Sequence, residues 1–212
     1  MIGGSAEPGL AFAEALASRF AHDVGGSLQA LTAASELLAA EDAALRSEAE
    51  TLVADSVRRL RGRLALLRAA WGRTGPPLAL PALVSLVSEG VGPPPVAIDT
   101  SRLEEGEWAV PGYDRLLLNA LMVGAESLPR GGTVFCAGST RGEIALGIVG
   151  EGADWVPGLA AVAAGDDPFA LAEPRQIAVP MFALLARRLG VALRLMMGGG
   201  PSLLLLQPAR PS

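Results

Sequence analysis

His22 is the only histidine of the 212-residue chain, and it lies in the run RFAHDVGGSL at positions 19–28. A partly unprotonated imidazole is a good nucleophile near neutral pH, and the carboxylate of Asp23 beside it can hold a ring proton or the charge state of the ring. Gly25 and Gly26 follow at three and four positions, so on a helix both lie beside His22. These residues indicate a nucleophilic site on a helix, and a surface histidine without a role is the alternative.

The two glycines are costly inside a helix, at about 1 kcal/mol each relative to alanine. A functional reason for this cost would be access: without side chains beside His22, another protein can bring its own active site onto the imidazole. A helix kink or tight packing at Gly25 and Gly26 is the structural alternative.

A cluster of arginines in the following segment, at positions 58, 59, 61 and 63, is predicted to lie at the level of His22. Arg59 and Arg63 share a helix face because they are four positions apart. Such cations can steer an acidic partner surface or neutralise a phosphoryl group in transit. An ordinary solvated face is the alternative for any one of them.

The elements that position these residues are two long predicted helices, at 10–40 and 44–71, joined by a short connection at 41–42. Apolar residues recur in both segments at steps of three, four or seven, which is typical of helices. The short connection makes the helices antiparallel neighbours. His22 lies off the apolar stripe of the first helix and is predicted to point towards solvent. A single hairpin cannot shield both stripes from water, so we predict a homodimer in which two hairpins form a four-helix bundle.

The rest of the chain begins with a Gly/Pro-rich linker, Gly72 to Pro81, and then mixes helix and strand patterns. The predicted helices cover 83–91, 113–128 and 180–189, and the predicted strands cover 96–99, 107–110, 133–137, 143–149, 192–196 and 202–206. The prediction is therefore an α+β chain: a helical hairpin (1–72), a linker (73–81) and an α/β sandwich with a largely antiparallel sheet (82–212).

Composition excludes some classes. The net charge of −5 argues against a nucleic-acid binder. No signal peptide or transmembrane segment is recognisable, so we expect a cytoplasmic protein without a membrane partner. Cys136 is the only cysteine. It could serve a different small enzyme, but a lone cysteine in a predicted strand is more often a buried small hydrophobe.

A long helix with an exposed His-Asp pair, a hairpin return and an α/β domain resembles the dimerisation and catalytic halves of sensor histidine kinases. More closely, the stretches FAHDVGGSLQALTAASELL (20–38) and LLLNALMVGAESLPRGGTV (116–134) resemble the ChpT family of histidine phosphotransferases. The resemblance extends over nearly the whole chain.

The chain departs from the kinase pattern at its ATP-binding motifs. Asn119 matches the first Asn of the N-box, but Val123 stands where the second Asn would hold magnesium, and an isopropyl group offers no oxygen ligand. Gly150 stands where an Asp would read the adenine, with Gly152 in the same run, and 176–182 replaces the later glycine-rich box. These departures predict a degenerate ATPase-like domain that does not bind ATP.

The resemblance implies a phosphotransfer role. A receiver domain of a hybrid histidine kinase would pass a phosphoryl group from its aspartate to His22, which would pass it on to response regulators. The catalytic residues would be His22 and Asp23. The receiver would contact Arg19, Gly25, Gly26, Arg59 and Arg63. No metal or cofactor of the chain itself is expected, since Mg²⁺ would lie on the receiver.

Two further functions stay open at this point. An atypical histidine kinase would bind nucleotide despite Val123 and Gly150. A non-catalytic dimeric adaptor of a two-component system would use the hairpin only to bind partners, and His22 would be dispensable.

Overall fold

The computed structural model describes residues 8–39, 42–72, 75–198 and 200–209. Two long helices come first, and a five-stranded sheet with further helices follows. In chain order the elements are α1 (Pro8–Leu37), α2 (Ala43–Trp71), α3 (Leu80–Gly90), β1 (Val96–Glu104), α4 (Tyr113–Glu126), β2 (Gly132–Ser139), β3 (Ile144–Val149), α5 (Leu159–Ala164), a 3-10 helix (Pro168–Leu171), α6 (Ala178–Leu189), β4 (Val191–Gly198) and β5 (Gly200–Pro208).

The hairpin α1–α2 confirms the two predicted helices. A proline opens α1, where its missing N–H and fixed φ are tolerated. Asp42 caps α2, because its carboxylate accepts a hydrogen bond of 2.8 Å from the backbone N–H of Ala44. Helix α1 ends at Leu37, earlier than predicted, and the predicted end at Ala40 and the connecting Glu41 lie outside the described residues.

The sheet has the strand order β1-β2-β3-β5-β4. The pairs β2–β3, β3–β5 and β5–β4 are antiparallel, which agrees with the predicted sheet, whereas β1 pairs with β2 in parallel. Helix α4 lies against β2 and β3 and is the centre of the core, since its residues from 113 to 125 are buried almost without exception.

The last turns of α2 belong to the core of the α/β half. Leu66, Leu67 and Ala70 are buried in the same hydrophobic cluster as α4. At the crossing of α2 and α3, a Cβ atom on Gly62 would lie 2.3 Å from the carbonyl oxygen of Glu89, so only glycine permits this approach. Packing is thus continuous across the predicted linker, and the predicted domain limits stay a prediction.

One predicted strand is wrong. Residues 107–110 form bends instead, because Pro111 and Gly112, the latter with a φ of +89°, turn the chain into α4 directly after them. The extended chain lies earlier: β1 continues to Glu104, five residues beyond its predicted end. Its polar residues are tolerated because β1 is an edge strand with a single neighbour.

The linker is shorter than predicted. Helix α3 already begins at Leu80, and Pro81 lies in its first turn, a position that accepts proline. Arg73 and Thr74 lie outside the described residues. Helix α5 and the 3-10 helix were not predicted, since six- and four-residue segments carry little periodicity. Within the described residues, no helix is both long and apolar enough to span a bilayer.

Candidate functional site

His22 lies at the middle of α1 and points into solvent. Its side chain is 85% exposed, whereas the side chain of Asp23 is only 12% exposed. The prediction that His22 points towards solvent therefore agrees with the structure. An imidazole in this position is accessible to a second macromolecule.

The two glycines beside His22 leave open space. A Cβ atom added at Gly25 or at Gly26 would meet no atom within 4 Å. The helix runs on without interruption from Pro8 to Leu37. Tight packing therefore does not explain the glycines, and the clearance interpretation fits their open surroundings.

Asp23 is the centre of an ion-pair network that joins α1 to α2. Arg19 lies one turn before Asp23 and places its Nε 3.1 Å from both carboxylate oxygens. Arg63 of α2 donates to Oδ2 from its Nη2 at 2.5 Å and from its Nε at 3.0 Å. The Nδ1 atom of His22 lies 3.5 Å from Oδ1, so the carboxylate is next to the phosphoacceptor candidate.

The network keeps the Asp23 carboxylate ionised. Burial opposes its ionisation, but the hydrogen bonds and charge of Arg63, and then those of Arg19, outweigh burial and lower the pKa of Asp23 below 3.8. An acid this strong does not take up a proton at neutral pH. Asp23 is therefore placed, as an ionised carboxylate, to orient a ring N–H of His22.

Arg19 also reaches the α/β half. Its Nη2 donates to Oε1 of Glu126 at 2.8 Å, and its Nη1 donates to the backbone oxygen of Arg175 at 3.3 Å. Glu126 is the last residue of α4. The sequence analysis did not identify Glu126 as a site residue, because a contact between positions 107 apart leaves no local pattern, whereas the i, i+4 spacing of Arg19 and Asp23 is visible in the sequence.

A cavity of about 470 Å³ lies between the hairpin and the α/β half, beside this network. Arg19, Asp23, Arg59 and Arg63 line its hairpin side, and Glu126 lines the opposite side. Of the predicted arginine cluster, Arg59 and Arg63 thus reach the level of Asp23. Arg58 and Arg61 line a different cleft, and Arg58 pairs with Asp55 at 2.8 Å.

Asn119, which matches the first Asn of the kinase N-box, makes its hydrogen bonds within the protein core. Its Oδ1 accepts from Nε1 of Trp71 at 2.9 Å, and its Nδ2 donates to the backbone oxygens of Arg115 and Ala70 at 2.9 Å and 3.3 Å. The side chain is 2% exposed. Asn119 therefore fastens the end of α2 to α4.

The other positions of the kinase motif offer no ligand group. Val123 is fully buried in the core. At Gly150 a Cβ atom would lie 2.5 Å from the backbone oxygen of Gly131 and 3.0 Å from Cδ2 of Leu128, so an aspartate would not fit there without a shift of the backbone. Gly152 has a φ of +69°, in the region that favours glycine. The residues present therefore do not fit Mg²⁺-ATP in the kinase manner.

Two other candidate chemistries find no support. Cys136 is 1% exposed, and burial, followed by the charge of Asp99, raises its pKa to about 12, so the thiol stays protonated at neutral pH. Among residues 8–39, 42–72, 75–198 and 200–209, no three His, Cys, Asp or Glu side chains are grouped so that they could hold a metal ion.

Comparison with known proteins agrees with the resemblance read from the sequence. Residues 110–200 match the family described as "Histidine phosphotransferase C-terminal domain". This confirms the resemblance to histidine phosphotransferases. No match was found among the curated proteins.

One solved structure extends the likeness in fold to the hairpin. A structure titled as a bacterial phosphotransferase has a TM-score of 0.74 at 22% identity, over 92% of this chain and 95% of the other. The blue-light activated histidine kinase EL346 of Erythrobacter litoralis gives 0.42 at 17% identity, over 98% and 61%. Full-length ShkA in complex with AMPPNP gives 0.39 at 14% identity, over 96% and 47%.

Proposed function

We propose that this protein is a phosphoryl carrier of a bacterial multistep phosphorelay. It accepts a phosphoryl group from the receiver aspartate of a hybrid histidine kinase onto His22 and passes it to the receiver domains of response regulators, without using ATP. One observation supports this most strongly: a highly exposed histidine lies next to two glycines with open space above them and next to a fixed carboxylate.

The transfer step needs little from this chain beyond position. Oδ1 of Asp23 lies 3.5 Å from Nδ1 of His22, which favours the tautomer with the proton on Nδ1 and the lone pair on Nε2. Nε2 attacks the phosphorus of the receiver's aspartyl phosphate, the N–P bond forms, and the P–O bond breaks to release the receiver's carboxylate. The receiver supplies the Mg²⁺ that neutralises the phosphoryl oxygens.

The arginines have separate roles in this proposal. Arg59 is exposed at the cavity, so it serves as a direct contact for the acidic pocket of a receiver, together with the bare surface at Gly25 and Gly26. Arg19 and Arg63 have side chains that are only 16% and 17% exposed, because their intramolecular ion pairs cover them. These two act on His22 through Asp23.

The lack of ATP use rests on the filled motif positions. Val123 and the backbone around Gly150 leave neither a magnesium ligand nor a place for an adenine-reading carboxylate. The α/β half then serves as a scaffold and a second contact for the receiver. A cytoplasmic location, where such relays operate, stays a prediction.

Self-association completes the proposed carrier. Among the described residues, eight of the eleven exposed large hydrophobic side chains lie on α1 and α2, so an apolar surface continues along the hairpin. The 30 residues of α1 bury only Ala15 and Ala34. A second hairpin that packs here would form a four-helix bundle. Light scattering of Phe20→Ser/Leu64→Ser should give half the wild-type mass. An unchanged mass would contradict this interface, and a wild-type mass of one chain, 21.6 kDa, would contradict the dimer.

The decisive experiment is phosphotransfer with defined donors. The purified protein, His22→Ala and the control Thr51→Ala, an exposed residue of α2, are each mixed with labelled ATP alone and with a panel of phosphorylated receiver domains. We expect label only from a receiver, in the wild type and in Thr51→Ala. Label on His22→Ala would refute the assignment, label from ATP alone would indicate a kinase, and no label from any donor would favour the adaptor.

A further inference from the structure

The side chain of Arg19 joins three segments of the chain at one point. Its Nε faces the carboxylate of Asp23, its Nη2 binds Glu126 at the end of α4, and its Nη1 binds the backbone oxygen of Arg175 before α6. Two of these partners belong to the α/β half, and the third is the neighbour of His22. A planar guanidinium with fixed donors can hold two carboxylates at once, which an ammonium group holds less firmly.

The two oxygens of Asp23 are held differently. Arg63 binds only Oδ2, whereas Arg19 also lies 3.1 Å from Oδ1, the oxygen that faces Nδ1 of His22. Without Arg19, Oδ2 would stay with Arg63 and Oδ1 would be free to rotate away from the ring. Arg19 therefore fixes the rotation of the carboxylate.

Charge keeps Arg19 in place. Burial acts to lower its pKa, but the charges of Glu126 and then Asp23 raise the pKa of Arg19 above its usual value. The guanidinium is thus permanently charged and mostly covered, and its place depends on where the α/β half holds Glu126.

We propose that Arg19 is a positioning residue through which the α/β half sets the orientation of Asp23 beside His22. The inference rests on the proposed role of His22 and explains why a domain without an ATP site stays packed against the hairpin. If Glu126 moves away, Arg19 loses one of its two carboxylate partners, and its contact with Oδ1 of Asp23 is weakened.

A reciprocal exchange separates this role from that of a simple tether. Arg19→Glu/Glu126→Arg rebuilds an ion pair between the hairpin and α4, but it removes the cation from Asp23. Arg19→Gln removes both contacts, and Glu126→Gln weakens only the contact to α4. Arg194→Gln, on the exposed edge strand β4, loses the same charge elsewhere and is the matched control.

The first readout is the transfer rate from a phosphorylated receiver as a function of receiver concentration. In Arg19→Gln and in the exchange variant, we expect the rate at saturating receiver to fall about three- to tenfold, the effect of one typical intramolecular hydrogen bond, with an unchanged half-saturating concentration. Glu126→Gln should lie between these and the wild type, and Arg194→Gln should match the wild type. Thermal melting verifies that each variant folds.

The second readout needs no transfer. Because His22 is the only histidine, its two ring nitrogens give a single pair of signals in ¹⁵N NMR. At a pH where the ring is neutral, we expect the wild type to carry its proton mainly on Nδ1, and Glu126→Gln and Arg19→Gln to show a mixture of tautomers.

The outcomes are distinguishable. If the exchange variant regains the wild-type rate and tautomer, Arg19 is only a tether and the proposal is overturned. It is equally overturned if every variant at Arg19 and Glu126 keeps the wild-type transfer rate and the wild-type tautomer of His22. If the wild type accepts no phosphate from any receiver, the proposed function fails, and the NMR comparison alone still decides whether the α/β half controls Asp23.

Discussion

The hairpin and the α/β half use glycine and apolar residues in opposite ways. Around His22, Gly25 and Gly26 have open space above them, whereas Gly150 lies against the backbone of Gly131. Phe20 of α1 is 46% exposed, whereas Leu117 of α4 is completely buried. The difference indicates that the hairpin keeps its surface for other molecules, while the α/β half has filled its interior, including the positions where a kinase binds nucleotide.

The sharpest test of this contrast compares two large-to-small substitutions. Leu117→Ala should lower the free energy of unfolding by about 2–5 kcal/mol, because it opens a cavity in the core. Phe20→Ala should lower it by less than about 1 kcal/mol in the monomer, since the ring is half exposed. Urea unfolding at low protein concentration measures both values. Equal losses would mean that the hairpin has its own packed core.

A second test restores the kinase residue at the filled site. Val123→Asn buries an amide among apolar side chains and should cost about 1–3 kcal/mol of stability. The matched control is Val123→Ala, which removes volume without adding polarity. Melting curves with and without Mg²⁺-ATP should coincide for all three proteins, and a nucleotide-dependent rise in the Tm of the wild type would favour the kinase hypothesis.

Acid titration probes the network around His22. Because the pKa of Asp23 lies below 3.8 in the folded protein, its ion pairs stabilise the protein above that pH, and this contribution disappears as the pH falls through the folded pKa. Asp23→Asn should therefore cost about 1–2 kcal/mol at neutral pH, and this cost should shrink as the pH falls below 3.8 and through the folded pKa of Asp23. Glu107→Gln, at an exposed carboxylate, serves as the control. A pH-independent difference would exclude the ion pairs as its cause.

The smallest expected effect is a gain. Gly26→Ala should stabilise the protein by about 0.5–1 kcal/mol, because alanine favours the helix and its methyl group meets no neighbour. Gly26→Leu should keep a similar stability but slow transfer from a receiver, because it fills the clearance beside His22. Stability comes from denaturant melts and transfer from the labelled-receiver assay. Transfer at the wild-type rate in Gly26→Leu would contradict the hypothesis that Gly26 leaves clearance for a receiver beside His22.

The sequence was informative where periodicity was long or where a single residue type was rare. The two hairpin helices and the exposed position of His22 followed from apolar spacing and from the uniqueness of the histidine. The pairing of Arg63 with Asp23 depends on the crossing angle and rotation of α2 against α1, which the spacing of apolar residues does not give. The sequence placed Arg63 only approximately.

Long-range contacts were beyond the sequence reasoning. The link from Arg19 to Glu126 depends on how α4 lies against the hairpin, and no local pattern encodes that. The wrong strand at 107–110 was predicted from a Trp-Ala-Val run. The turn into α4 directly after this run determines its backbone conformation instead. Short elements such as α5 gave too few positions for a period to emerge.

The close approach of Gly62 to the backbone oxygen of Glu89 fixes α2 against α3 next to the ion pairs of Asp23, so a tilt of the distant end of α2 would pivot there. Arg63, which holds Asp23, is the next residue along α2, whereas the start of α2 lies 19 residues away, about 28 Å along a rigid helix. A tilt of about 5° at the pivot would displace that distant end by roughly 2 Å while it hardly moves His22. Bending at the far end of the hairpin would therefore leave the positions of Arg63 and His22 nearly unchanged.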